Sequence, residues 1–252
     1  MNPIDYPRLF FVLSLVVMWF AALIGAFIGQ KVRPLKEEER EDFGVVQTAV
    51  LTLLGLLIGF AFSMAVSRYD QRKSYEEAEA NAIGTEYIRA DLLPSGDAER
   101  VRDLLIKYLD QRVLFYMTND EGHLTQINAS TALLQTQLWS TVQNRAAAAP
   151  TPVVALAVSG MNDVLNSQGY TQFAWWNRIP VSAWILLAMI AVCGNVLLGY
   201  SMHRKSKLLT VILPLAVSLS FFLIADIDSP RRGLIRVQPQ NLLSLSQSLQ
   251  PH

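Results

Sequence analysis

Four uncharged apolar stretches punctuate the chain, two near each end, and enclose about 110 residues of polar and amphipathic sequence. Leu9 to Gly29 is 21 residues without a charge, Phe43 to Ser67 is 25, Ile179 to Met202 is 24 and Leu208 to Ala225 is 18. A helix crossing roughly 30 Å of hydrocarbon needs about 20 such residues. The pattern therefore predicts an all-α, polytopic membrane protein with four transmembrane helices in two pairs flanking an extramembrane helical domain. The first stretch is read as a span rather than a cleaved leader. Its apolar core is too long, only Arg8 precedes it, and Ala26-Phe27-Ile28-Gly29 offers no A-x-A site. Trp175, Trp176 and Arg178 stand just before the third span and Pro180 at its first turn, as expected where a helix enters a headgroup layer.

Between the pairs the pattern changes to helical periodicity with charge. Ser67 to Leu93 continues the second span without a Gly-Pro break, and Arg72/Glu76 and Lys73/Glu77 sit four apart, as ion pairs along a helix do. From Phe43 to Leu93 this predicts one rod on the order of 75 Å at 1.5 Å per residue, ended by Pro94-Ser-Gly. A second helix is expected from Asp97 to about Met117, with Val101, Leu104, Leu105, Tyr108, Leu109 and Phe115 on one face. A third runs from about Leu124 to Ala147 with Ile127, Leu134, Leu138 and Val142, and a fourth from Pro152 to Leu165. Each carries one apolar stripe, so the helices are expected to pack together outside the membrane. The organisation read from this is 1–67 for the first pair, 68–174 for the helical domain, 175–227 for the second pair and 228–252 for a C-terminal tail.

Composition adds exclusions. Net charge is zero, so no basic excess points to nucleic acid. Cys193, the single cysteine, lies in an apolar span and rules out an intramolecular disulfide. Three scattered histidines with one cysteine give no metal-ligand spacing, and no phosphate-binding glycine loop is present. The chain is read as a non-enzyme without a cofactor or metal. Charge does not orient it: Lys31, Arg33, Lys36, Arg40, Arg204, Lys205 and Lys207 in the short loops face Arg8, Arg68, Arg72, Lys73, Arg178, Arg231, Arg232 and Arg236 on the other side. An even number of spans puts both termini and the middle of the chain on one side.

Candidate chemistry concentrates in the second span. Thr48, Thr52, Gly55, Gly59 and Ser63 recur at spacings of four, three, four and four, along one narrow face. Small residues in such a row let helices approach closely. They also suit a pore wall, where hydroxyls leave room for water while Ile58 or Phe62 forms a constriction. Gln47 and Asn195 are amides at membrane depth, expected to face the bundle or a wet cavity. No ionisable residue occupies the centre of a span, which argues against a pump built on a midplane carboxylate. At the end of the fourth span Asp226-Ile-Asp228-Ser-Pro230-Arg231-Arg232-Gly233 carries an Asp-x-Asp pattern known from phosphatases and glycosyltransferases. The 24 residues after Asp228 hold no downstream Lys or acidic pair, so the local reading is electrostatic, with the arginines able to pair with Asp226, Asp228, the acidic rod or a lipid phosphate.

Two stretches carry a resemblance. Gly59-Phe-Ala-Phe-Ser63-x4-Arg68-Tyr-Asp70-x-Arg72, continuing through Glu77-Ala-Glu79-Ala-Asn81-Ala-Ile-Gly84-Thr85-Glu86-Tyr87-x-Arg89-Ala-Asp91-Leu-Leu-Pro94, resembles the signature of a widespread family of bacterial membrane proteins with a bestrophin-like domain. Asp228-Ser-Pro230-Arg231-x-Gly233-Leu-Ile resembles its second signature. Bestrophins are pentameric ion channels that also place two membrane helices on each side of a helical cytosolic segment. The resemblance implies a homo-oligomer, pentameric by analogy, in the lipid bilayer of a bacterial plasma membrane, passing inorganic ions. It implies that the second span lines an axial pore, that the rod continues into a vestibule, and that termini and middle domain are cytoplasmic. On that reading Glu76, Glu79 and Glu86 would favour cations in the vestibule, and Arg68 and Arg72 anions at its mouth. Calcium gating does not carry over, because Asp226 and Asp228 are the only acidic residues near the C-terminus. The reading left open beside the channel is a non-conducting membrane anchor or sensor whose helical domain binds a partner.

Overall fold

A computed structural model of the chain describes residues 4, 6–201 and 209–249. Among them, every regular element is helical. The principal helices are α1 (Pro7–Phe27), α2 (Arg40–Arg89), α3 (Ser95–Met117), α4 (Glu121–Ala148), α5 (Pro152–Trp176), α6 (Val181–Ser201), α7 (Leu209–Asp228) and α8 (Gln240–Leu249). A π-turn over Ile28–Val32 and short 3-10 turns at Glu37–Glu39 and Ala90–Leu92 adjoin α1 and α2. Four helical stretches are long and apolar enough to cross a bilayer, on α1, the first part of α2, α6 and α7. The protein is an all-α integral membrane protein. The loop charges Arg204, Lys205 and Lys207, with Met202 and Leu208, lie outside the described residues.

The chain divides into two compact units. The first comprises Met1–Arg68 and Arg178–Arg236, and the second Tyr69–Asn177 and Val237–His252. Helix α2 contributes to both.

In the membrane unit, glycines bring backbones together. A Cβ on Gly25 would strike the carbonyl of Val196, one on Gly199 the carbonyl of Ala22, and one on Gly29 the carbonyl of Tyr200. Helices α1 and α6 thus meet backbone to backbone, the arrangement by which membrane helices gain dispersion contacts where lipid supplies no hydrophobic drive. Phe10, Trp184 and Phe221 tie α1, α6 and α7 together, with Phe10 edge-on to Trp184 at 5.2 Å and Trp184 edge-on to Phe221 at 6.0 Å. Asn195 is fully buried and donates Nδ2 to the Ala191 carbonyl at 2.8 Å and to Met18 Sδ at 3.5 Å. The amide faces the bundle, as a polar group in hydrocarbon must.

The second unit is built as its stripes predict. Val101, Leu104, Leu105, Tyr108, Leu109 and Phe115 of α3 are all buried, against Ile127, Leu138 and Val142 of α4 and the partly buried Leu134. Helix α4 starts three residues earlier than expected because Asp120 caps it, accepting from the His123 amide at 2.7 Å. Helix α5 extends past Leu165 to Trp176. In the added turns Ser167 turns back onto the Val164 carbonyl at 2.7 Å and Thr171 is buried with a partner on α2. The last segment, expected as a tail, carries the helix α8, whose Leu242 is fully buried.

Candidate functional site

Among the described residues, the small-residue face of α2 is unpartnered. Thr48, Thr52, Gly55, Gly59, Phe62 and Ser63 are exposed and Ile58 is half-buried, while Leu54, Ala61 and Ala65 on the opposite side are buried. A Cβ at Gly55 or Gly59 would meet nothing within 4 Å. The buried side of α2 is the one that meets α6, where Leu51 and Leu54 lie against Gly194. Close packing inside the protomer falls instead to Gly25, Gly29 and Gly199, which the sequence reading passed over. Their signal was there, since Gly25-xxx-Gly29 has the same small-xxx-small spacing as Gly55-xxx-Gly59. Near one end of this span Gln47 lines a groove of about 480 Å³ with Gln30, Arg40, Phe43 and Tyr200.

Beyond Ser67 α2 leaves the uncharged span, and its charges require a correction. Arg72, Glu76, Glu79 and Glu86 were expected as charges of a vestibule or rod, but each is at most 1% exposed, and Arg68 is half-buried. They do not form an exposed lining of the described chain. Positions 72, 76, 79, 83, 86 and 90 follow one helical face, which they share with the core residues Ile83 and Ala90.

Two of these carboxylates are well compensated. Glu79 forms a buried ion pair with Arg112 Nε and also accepts from Arg112 Nη2 at 3.4 Å, Tyr116 Oη at 3.4 Å and Thr171 Oγ1 at 3.0 Å. The Arg112 guanidinium stacks over Phe115 at 4.4 Å. Burial is the largest single influence and works against the Arg112 charge, but Glu79, Tyr108 and Tyr116 together hold the guanidinium above its ordinary pKa. Burial first, and Glu79 second, push the Tyr108 and Tyr116 phenols up, so both stay neutral. Glu76 accepts from the backbone amides of Asn241 and Leu242, each at 3.0 Å, and from Asn241 Nδ2 at 2.6 Å. Its carboxyl group caps the N-terminus of α8, where the orphan amides and the helix dipole favour an acidic side chain. Gly84 serves the same contact, because a Cβ there would stand 3.1 Å from Leu245 Cδ1 of α8. Asn81 and Thr85 line a groove of about 470 Å³ beside α8.

Asp226 and Asp228 brace the segment after α7. Asp226 accepts from the amides of Leu234 at 2.7 Å and Ile235 at 2.9 Å. It closes a turn through Ser229, Pro230 and Arg231 in which Gly233 lies so close to the Asp226 carbonyl that a Cβ would collide with it. Asp228 is buried, accepts from the Ile179 amide at 3.2 Å and pairs with Arg178 Nε at 3.5 Å, joining the ends of α7 and α6. Arg178 was expected as an interfacial residue rather than as this partner. Of the arginines expected to serve these carboxylates, Arg232 lies over the Tyr6 ring at 4.3 Å and Arg236 donates to the Arg231 carbonyl at 3.2 Å. Among the described residues no group of three or more His, Cys, Asp or Glu could hold a metal ion.

The sequence model of the bestrophin-like domain matches residues 8–242, which include both membrane pairs, the charged part of α2 and the braced turn. The chain belongs to the bestrophin-like domain family. No curated protein matches it. Among solved structures, a bacterial bestrophin homologue from Klebsiella pneumoniae is 14% identical with a TM-score of 0.66, covering 94% of this chain and 96% of that one. A single-residue variant of the Klebsiella homologue gives 13% identity and a TM-score of 0.65, covering 95% and 97%. At that identity the likeness establishes the bestrophin-like fold, over nearly the whole of both chains.

Proposed function

We propose that this chain assembles into an oligomeric, bestrophin-like ion channel of a bacterial plasma membrane, with the small-residue face of α2 turned toward the pore. The observation that carries the reading is the bare face at Thr48, Thr52, Gly55, Gly59 and Ser63, beside glycines elsewhere in the membrane unit that are all but fused to a neighbouring backbone. A surface meant only for lipid has no use for glycine and hydroxyl side chains in register, which forgo apolar contact and leave backbone accessible. A water-filled path does, with Ile58 and Phe62 as the apolar residues that narrow it. Family membership supports the channel class, and pentameric assembly with cytoplasmic termini is proposed by analogy with bestrophins. The buried charges Arg72, Glu76, Glu79 and Glu86 have no part in this reading as pore charges.

Purified protein in planar bilayers tests it. Conductance above background is expected, and Gly59→Leu is expected to reduce it while the oligomer still forms. A folded protein without conductance would overturn the proposal. Wild-type protein at background conductance, with assembly lost in Gly59→Leu, would point to the non-conducting anchor, for which the same face is contact between subunits.

A further inference from the structure

Glu86 differs from the other buried carboxylates of α2. It is 0% exposed, and neither carboxylate oxygen has a hydrogen-bond partner among the described residues. It lies in the seam between α2 and α5. A Cβ at Gly160 of α5 would collide with the Glu86 carboxylate and would stand 2.6 Å from Nη1 of Arg89. Two charged groups act on Glu86 there, Arg89 one turn along α2 and Asp163 one turn along α5. Arg89 favours the ionised carboxylate and Asp163 opposes it. An anion enclosed without hydrogen bonds is strongly disfavoured, whereas a neutral carboxyl of the same shape is tolerated.

We propose that Glu86 is a proton-dependent latch between α2 and α5. Protonated, it lies against Gly160 and closes the seam. Ionised, it gives its proton to bulk solvent and turns out to water, and α5 loosens from α2 around Gly160. The two members of the latch are matched in shape, since only a residue without a Cβ leaves room for the carboxyl at Gly160.

The direction of the pH dependence follows from burial, which with smaller effects from Arg89 and Asp163 raises the Glu86 carboxyl from its ordinary 4.5 to about 8. An opened seam returns it to the ordinary value. Between these limits the closed form binds more protons than the open one, so each pH unit upward increases the open population by up to about tenfold. The dependence ceases below the lower limit and above the upper one. The seam is therefore tightest in mild acid and loosest in mild alkali. The latch does not rest on the channel reading, because it concerns packing within one helical unit.

Hydrogen exchange on the full-length protein in lipid nanodiscs tests the latch, following α5 peptides around Gly160 from pH 5 to 9.5 with intrinsic exchange rates divided out. Wild-type protection is expected to fall as pH rises and to level off near pH 8. Glu86→Gln, which keeps shape and removes ionisation, is expected to hold protection flat across the range. Asp163→Asn, which removes the charge opposing ionisation, is expected to move the levelling point to lower pH. The proposal is overturned if wild-type protection does not change with pH, or if Glu86→Gln keeps the wild-type slope. Should that variant fail to fold, an Asp163→Asn profile that coincides with wild type overturns it.

Discussion

Glu79 of α2 and Arg112 of α3 are 33 residues apart and form a fully enclosed ion pair, each at 0% exposure. Desolvating two charges is costly, and the pair persists because Thr171, Tyr116 and the Phe115 ring add contacts around it. Removing one partner leaves the other charged and enclosed. Glu79→Ala is expected to destabilise the protein by about 3–5 kcal/mol, and Glu79→Met combined with Arg112→Met by much less. Thermal unfolding of the purified variants, read by loss of the monodisperse peak after heating, checks both.

Glu76 is the fastening of α8. Replacing it by Ala removes three hydrogen bonds, two of them to amides at the first turn of the helix. A lost N-terminal cap costs about 0.5–2 kcal/mol, enough to free a ten-residue helix held otherwise by Leu242, Leu245 and Leu249. The expected outcome is faster proteolysis between residues 240 and 249 with the α3–α4 core intact. Gly84→Leu should have the same effect from the other end, by displacing Leu245.

These two carboxylates show where the sequence was transparent and where it was not. The membrane spans and the stripes of α3 and α4 were legible because burial of apolar surface leaves a period in the sequence. The buried charges were not, because a run such as Glu76-Glu77-x-Glu79 has the same composition whether solvated or neutralised. What neutralises them comes from far along the chain, Arg112 for Glu79 and Asn241 for Glu76. The period was nonetheless present, since Glu76, Glu79 and Glu86 share a face with Ile83. Of the candidate site, the sequence picked out the α2 face, but its lack of a partner among the described residues is a tertiary fact. The Glu86 seam was illegible for a similar reason: Gly160 is 74 residues away and is an ordinary helix glycine until the carboxylate is placed against it.

Asp226 separates an enzymatic reading from a structural one. Its carboxylate is spent on the amides of Leu234 and Ile235. Asp226→Ala is expected to lose about 1–3 kcal/mol through the loss of its carboxylate hydrogen bonds to these two amides, and Asp226→Asn, which keeps one acceptor oxygen, less. Thermal stability is the readout. A stable Asp226→Ala protein would mean the turn does not depend on that brace.

The glycines of the membrane unit supply the most discriminating comparison. Gly25 and Gly199 stand where any side chain would run into a neighbouring backbone carbonyl, which cannot move without parting α1 from α6. Gly55 and Gly59 have open space around them in the protomer. Leu at Gly25 or Gly199 is therefore expected to abolish recovery of folded protein, since overpacking against backbone costs more than the 1–3 kcal/mol typical of side-chain crowding. Leu at Gly55 or Gly59 is expected to leave the protomer fold intact, with the helix interior gaining slightly because glycine is the poorer helix former by about 1 kcal/mol. Any defect in the second pair must then arise outside the protomer, in contact between subunits or in the ion path. Comparing yield, oligomer size and conductance across the four variants separates those outcomes: equal loss of folded protein at all four positions would show that the α2 face is used within one chain and would remove the basis for placing a pore there.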